Sequence, residues 1–135
     1  MIMLKETITY EDYNGITRTE DFYFNLDEAE VAEMEMSTEG GMAEMIQRIV
    51  AAKDTAAIIK VFKDMILKAY GQKSLDGKKF IKEDQNGYRL ANDFKQTKAY
   101  SQLFMKLATD SDAAARFVNG IMPNKKTDKA SFPTA

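Results

Sequence analysis

The pattern of apolar positions is most regular between residues 54 and 71, where apolar side chains recur at spacings of three and four. Such spacing places them on one face of an α-helix. The face comprises Ala57, Ile58, Val61, Phe62, Met65, Ile66, Ala69 and Tyr70, widened by Ile59 and Leu67. A helix that is apolar over most of its circumference has to be covered from several directions. The pattern therefore predicts a central helix near residues 55–70, with Asp54 as its N-cap and Gly71 as the left-handed residue that ends it.

Alternating polar and apolar residues at positions 4–26 predict a β-hairpin around Asn14-Gly15. Two registers compete. A two-residue turn would put the aromatic residues on the wrong face, whereas a three-residue loop with Gly15 in the left-handed conformation pairs Asp12 with Ile16. We predict the second register, which collects on one face Ile2, Leu4, Ile8, Tyr10, Phe22, Phe24 and Leu26. Because a two-stranded ribbon is marginal alone, this face must pack on helices, or the edge must pair with another chain.

The next part of the chain, residues 27–71, contains three helical patterns, with a turn at Ser37–Gly41 after the first. Asp27 and Glu30 have the spacing of a capping box at the start of a short helix that ends near Met36. Residues 41–54 then form a second amphipathic pattern that leads into the central helix. Its apolar face is Met42, Met45, Ile46, Ile49 and Val50.

Residues 72–87 contain two turn signals and a small basic cluster, Lys78, Lys79 and Lys82. A nucleic-acid site would need more positive charge and neighbouring aromatic side chains, so we expect a solvated loop and no nucleic-acid partner. Beyond it, the sequence predicts a short helix over residues 88–94, a helix capped by Thr97, and a last helix from the N-cap Asp110 to Gly120.

Together these elements predict an α+β fold class, mainly α with an N-terminal β-hairpin. Five to six helices would form a compact bundle around the central helix. We expect a single domain over residues 1–123, divided into a hairpin at 4–26 and a helical body at 27–122. Residues 124–135 are polar and lack periodicity, which predicts a flexible C-terminal tail.

The composition narrows the chemistry. The 135 residues include no histidine and no cysteine, so the commonest general base, the thiolate nucleophile, disulfides and the usual zinc ligands are absent. The phosphate-binding, dinucleotide-binding and calcium-binding loop motifs do not occur either. We therefore expect a protein that is not an enzyme and has no cofactor or metal site. No apolar run long enough for a membrane span and no signal sequence are found, so we expect no membrane partner and a cytoplasmic location.

Charge is unevenly divided along the chain. The first 47 residues hold twelve acids and two bases, and the remaining 88 hold nine acids and seventeen bases. Such a division can steer a charged partner or favour self-association, or the two parts can neutralise each other in the folded chain. Methionines stand among the acids of residues 28–45, and methionine either fills irregular cores or lines surfaces that adapt to varied partners. The candidate partner-binding residues are Met34, Met36, Met42, Met45, Glu30 and Glu33.

Six stretches together carry a family resemblance that covers nearly all of residues 5–123. They are YEDYNG, RTEDFYFNL, GGMAEMIQRIVAAKD, VFKDMILKAYG, KSLDGKKFIK and, above all, QTKAYSQLFMKLATDSDAAARFVNGIMP. This combination resembles the tail assembly chaperones of long-tailed phages and prophages of Gram-positive bacteria. The resemblance implies a non-enzymatic role in building the phage tail in the host cytoplasm. Such chaperones coat the long, helical, hydrophobic tape measure protein, help recruit subunits of the major tail tube protein, and are absent from the mature virion.

The resemblance also implies two forms of the protein, the longer one made by a programmed frameshift and carrying a segment that contacts the tail tube. Lys125 and Lys126 lie where an A-rich slippery run could be encoded, which marks the tail after Pro123 as the place for such an extension. An alternative is a small structural phage component, such as a tail completion or joining subunit retained in the virion. In that case the hairpin edge and the charge division would serve permanent self-assembly.

Overall fold

The computed structural model describes residues 3–37, 40–41, 44, 47–48, 51 and 55–123. Within these ranges, four strands and five helices have defined bounds, which confirms the α+β fold class. The strands are β1 Leu4–Glu11, β2 Thr17–Phe24, β3 Tyr70–Lys73 and β4 Phe80–Ile81. The helices are α1 Glu28–Met36, α2 Thr55–Ala69, α3 Ala91–Phe94, α4 Lys98–Thr109 and α5 Ser111–Ile121.

The N-terminal hairpin has the predicted three-residue loop and register. The amide of Asp12 donates to the carbonyl of Ile16 over 2.8 Å, and Gly15 has a φ of 78°. The Asp12 carboxylate holds the loop, since Oδ1 accepts from the amides of Asn14 and Ile16 at 2.8 and 2.9 Å, and Oδ2 from Arg18 Nε at 2.6 Å. The predicted apolar face contacts helices α4 and α5. Its most buried members are Ile8, Tyr10, Phe24 and Leu26, and Ile2 lies outside the described residues.

The sheet is larger than predicted, because residues 70–81 add two strands in the order β1-β2-β3-β4. β3 pairs antiparallel with β2, setting Tyr70 opposite Phe24, and β4 pairs antiparallel with β3. The prediction of a solvated loop over residues 72–87 was therefore wrong at its β3 and β4 parts. Their residues carry too short a pattern to reveal a strand, since β4 is two residues long. The second edge of the hairpin is thus paired within the chain.

Helix α2 matches the predicted central helix, but its ending and its coverage differ. Gly71 lies in β3 and does not end the helix by a left-handed turn. Its role is close packing, because a Cβ there would lie 2.6 Å from Phe80 Cε2 and 2.8 Å from the carbonyl oxygen of Ile81. Among the described residues, the buried side chains of α2 are Met65, Ile66 and Ala69, all near the end of the helix. Asp54, the predicted N-cap, lies outside the described residues.

Three predicted helix starts are confirmed. Asp27 and Glu30 form a complete capping box, with bonds of 2.9 and 3.0 Å between each side chain and the other residue's amide. Thr97 accepts from the amide of Tyr100 at 3.2 Å. Asp110 accepts from the first amides of α5 at 3.0 and 3.1 Å.

Two other helix boundaries differ from the prediction. The helix predicted over residues 88–94 is reduced to α3, because Asp84 Oδ1 binds the amide of Tyr88 and Arg89 forms a bridge with Glu83. Gly120 does not end α5, which continues to Ile121. The missing side chain instead lets α5 approach β1, since a Cβ at Gly120 would lie 2.9 Å from Leu4 Cδ1.

Aromatic rings around Phe94 join the sheet to the helices. Phe94 stacks on Tyr70 with ring centroids 4.4 Å apart, and its other ring neighbours are Phe22, Phe24 and Tyr100 at 5.2 to 5.8 Å. The core therefore lies between the sheet and the helices that follow β2. The compact bundle stays a prediction, because most of the helix predicted over residues 41–54 lies outside the described residues, as does the predicted tail at 124–135.

Candidate partner-binding site

An uncharged groove of about 660 Å³ runs between α2 and the corner where α4 meets α5. Helix α2 contributes one wall, formed by Ile58, Val61, Phe62 and Met65. The opposite wall comes from the end of α4 and from α5. On the α5 side its lining includes Ala114, Ala115 and Val118, and none of the lining residues carries a charge.

The groove exists because a wide apolar face meets small side chains. Ile58, Val61 and Phe62 of α2 are only half-buried. Across from them, α5 presents Ala114 and Ala115, whose methyl groups are too short to close the space that close packing would otherwise fill. The lining runs from residue 111 to residue 119 of α5, which is about 12 Å of helix. That length accommodates the apolar face of about two turns of another helix.

The predicted partner-binding residues that the structure describes lie elsewhere, on α1. Met36 is 86% exposed, and Glu33 is exposed beside it. Met34 is half-buried and packs against the core, while Glu30 is half-buried. None of the α1 residues is fully buried, so this helix is held by the partly buried side chains of Val31 and Met34 and by polar contacts. Met42 and Met45 lie outside the described residues, as do Lys125 and Lys126.

Glu30 binds Lys82, which ties α1 to the strand region. Lys82 Nζ lies 2.8 and 2.7 Å from the two carboxylate oxygens of Glu30. It also donates to the carbonyls of Asn25 at 2.7 Å and Lys68 at 2.8 Å. The Lys82 side chain is 10% exposed and that of Glu30 is 26% exposed. Burial lowers the pKa of Lys82, and the hydrogen bond and charge of Glu30 oppose that shift.

This geometry corrects the expectation that Lys82 belongs to a solvated basic cluster. Lys78 and Lys79 are exposed, but Lys82 is an internal link between four chain segments. The pair borders an open polar cleft between α1 and the β4 region. Five acidic and four basic side chains line that cleft, so it does not select ligands of one charge. Among the described residues there is no cluster of acidic side chains that could hold a metal ion.

In a comparison with protein-family models, the model of the phage tail assembly chaperone family matches residues 3–132. The chain therefore belongs to the phage tail assembly chaperone family. Comparison with curated proteins and with solved structures gave no match. Membership confirms the resemblance to tail assembly chaperones and gives this family member a role in phage tail assembly, while the long-tailed phage and the Gram-positive host stay predictions. The match spans both α1 and the three helices that form the groove.

The sequence alone did not predict two features of this family member, the groove and the link between Glu30 and Lys82. The apolar residues that form the groove were predicted to be covered, since periodicity gives the width of an apolar face and not the area that neighbours cover. The small residues of α5, three successive alanines at 113–115, were the available signal. The link between Glu30 and Lys82 joins residues 52 positions apart, and no local pattern indicates it.

Among the described residues, no helix has both the length and the apolar character needed to span a membrane.

Proposed function

We propose that this tail assembly chaperone is a non-enzymatic binding protein whose groove holds the apolar face of a helix in the tape measure protein. The observation that carries the proposal is an open, uncharged groove in a member of a chaperone family. An amphipathic helix binds such a groove through side chains that recur at helical spacing. A groove without charged residues accepts varied apolar sequences, because no ion pair has to be satisfied.

The size of the groove favours reversible binding. About two turns of helix bring two or three apolar side chains into the groove, each contributing roughly 1.5–3 kcal/mol before the cost of association. A single groove therefore holds its partner weakly, and stable coverage of a long polypeptide requires many copies along its length. Weak individual contacts also let tail tube subunits displace the chaperone during assembly. Such reversible binding is what we expect of a chaperone that acts in the host cytoplasm and is absent from the finished virion.

Recruitment of the major tail tube protein belongs to a longer, frameshifted form whose added segment follows the tail that contains Lys125 and Lys126. The surface of α1 is the second candidate contact for the tape measure protein. It presents Met36 and Glu33 to solvent, and residues 34, 42 and 45 supply further methionines to that part of the chain.

Substitution of Ala115 tests the groove. Ala115 is exposed at the groove wall, so Ala115→Arg places a long charged side chain across the groove without entering the core. Titration calorimetry with a helical tape measure fragment should show at least a tenfold weaker affinity. Ser101→Arg, at an exposed position of α4 outside the groove lining, is the matched control and should bind normally. Met36→Ser separates the two surfaces, because loss of binding by that variant alone would place the contact on α1 and contradict the groove.

Two further measurements distinguish the remaining alternatives. Mass spectrometry of purified virions should not detect the chain, whereas a structural tail component would be present in fixed copy number. The nucleotide sequence around codons 121–135 should contain a slippery run and an overlapping reading frame. Their absence would exclude the frameshifted form.

A further inference from the structure

The outer edge of β1 carries backbone groups that could pair with another strand. β1 is the first strand of the sheet, and among the described residues it pairs only with β2. Since Asp12 bonds across the hairpin to Ile16, even-numbered residues of β1 direct their backbone groups to β2, and odd-numbered residues direct theirs outward. The four outward residues, Lys5, Thr7, Thr9 and Glu11, are all exposed.

One contact shields this edge within the part of the chain that the structure describes. Gln102 Nε2, on α4, donates to the carbonyl oxygen of Thr9. The other backbone groups that face outward at these four positions show no hydrogen bond to a described residue. An exposed edge of this kind is a template for another strand unless something blocks it.

We propose that a second copy of this chain pairs with the edge, β1 against β1, antiparallel around a two-fold axis at Ile8. In this register Lys5 of one copy lies opposite Glu11 of the other, and Thr7 lies opposite Thr9. Two-fold symmetry repeats both pairs, so the strands exchange about eight backbone hydrogen bonds and two pairs of opposite charges. Opposite charges and paired threonines directly across two strands stabilise their association.

The charges and the backbone together select this register. A shift by one residue would bring in even-numbered residues, whose backbone groups already bond to β2. A shift by two residues keeps the hydrogen bonds but leaves Lys5 and Glu11 without an opposite charge across the strands. Neither Lys5 nor Glu11 forms an ion pair with another described residue, so both remain available to a second copy.

The association is weak for two structural reasons. Four paired residues on each side form a contact smaller than a standard stable interface, so a dissociation constant above roughly 1 μM is expected. The bond from Gln102 to Thr9 must also open before the strands can meet. Gln102 therefore competes with the second copy for the same carbonyl.

Sedimentation velocity of the full chain, from roughly 10 μM to 1 mM, tests the pairing. The chain should pass from monomer to dimer over this range. Lys5→Glu and Glu11→Lys should each weaken the dimer by about tenfold, because each places like charges opposite each other twice. The double variant restores the opposite charges and should recover the original affinity. Gln102→Ala removes the competitor and should strengthen the dimer.

As a control, unfolding followed by circular dichroism should show that each variant still folds, because the substituted positions are exposed. If the chain stays monomeric over the whole concentration range, the β1 edge does not pair with a second copy and the proposal is overturned. A dimer that none of the three single variants affects would place the contact on another surface and would likewise overturn the proposal.

Discussion

Replacing Lys82 with methionine tests whether the internal ion pair holds α1 to the sheet. Methionine retains most of the aliphatic length, so the change removes the ammonium group with little loss of packing. Three acceptors then lose their donor: the carboxylate of Glu30 and the carbonyls of Asn25 and Lys68. Asn25 is buried and cannot recover a partner from water.

The expected loss in the free energy of unfolding depends on how exposed each of the three acceptors is. Removal of one partner from a fully buried ion pair costs about 3–5 kcal/mol. The Glu30 carboxylate is 26% exposed and keeps its bond to the amide of Asp27, so its share is smaller. The buried carbonyl of Asn25 adds about 1–3 kcal/mol, while water can reach the carbonyl of the exposed Lys68. We expect a total loss of about 3 kcal/mol, a large fraction of the stability of a small domain.

Urea unfolding monitored by circular dichroism measures this loss. A double-mutant cycle with Glu30→Gln isolates the coupling, and the double variant should be more stable than Lys82→Met alone because the uncompensated carboxylate is gone. Lys79→Met, at an exposed lysine of the same segment, is the control and should change the free energy of unfolding by less than about 0.5 kcal/mol. If Lys82→Met were as mild as Lys79→Met, the pair would not contribute to holding α1.

Three further substitutions test the turn, the sheet and the first helix. The Arg18 hydrogen bond, followed by backbone amides, lowers the pKa of Asp12 below its ordinary value of 3.8. The stabilising effect of the Asp12 carboxylate is present above pH 3.8 and is lost as the pH falls through the lowered pKa. The stability difference between wild type and Asp12→Asn should therefore shrink as the pH is lowered below 3.8. Gly71→Ala should cost about 2 kcal/mol in urea unfolding, because the new Cβ meets the Ile81 carbonyl at 2.8 Å. Asp27→Ala removes the cap of α1 and should cost about 1 kcal/mol, with faster amide exchange mainly in α1.

A specific experimental result would contradict each of these three predictions. A stability difference between Asp12→Asn and wild type that is constant across the acid range would show that the Asp12 carboxylate does not titrate as described. Gln72→Ala, at the exposed neighbour in β3, is the control for Gly71→Ala, and equal losses would contradict the packing argument. For Asp27→Ala, exchange that accelerates equally in every helix would show global rather than local destabilisation.

Local chemistry was sufficient to predict the hairpin register and the helix starts. In β1 and β2 only one register puts the apolar residues on one face, and Gly15 supplies the backbone conformation that its loop requires. The caps at Asp27, Thr97 and Asp110 depend on bonds between residues two or three positions apart. These features are therefore encoded within short segments of the chain.

Features that depend on distant segments were not predictable in this way. β3 follows α2 without a break and is recognised only by its pairing with β2. Gly71 and Gly120 carry the residue type of a helix end, but close contacts with Phe80 and Leu4 require them. The groove likewise depends on which α2 side chains the alanines of α5 leave uncovered.

Helix α5 packs against the first strand of the sheet. The amide of Leu26 donates to the carbonyl of Ile121 over 2.9 Å, and Gly120 lies against Leu4. Because the hairpin precedes α4 and α5 along the chain, its apolar side stays uncovered until a ribosome has made both helices. Until residue 121 has been made, the nascent chain exposes this apolar surface and is vulnerable to aggregation.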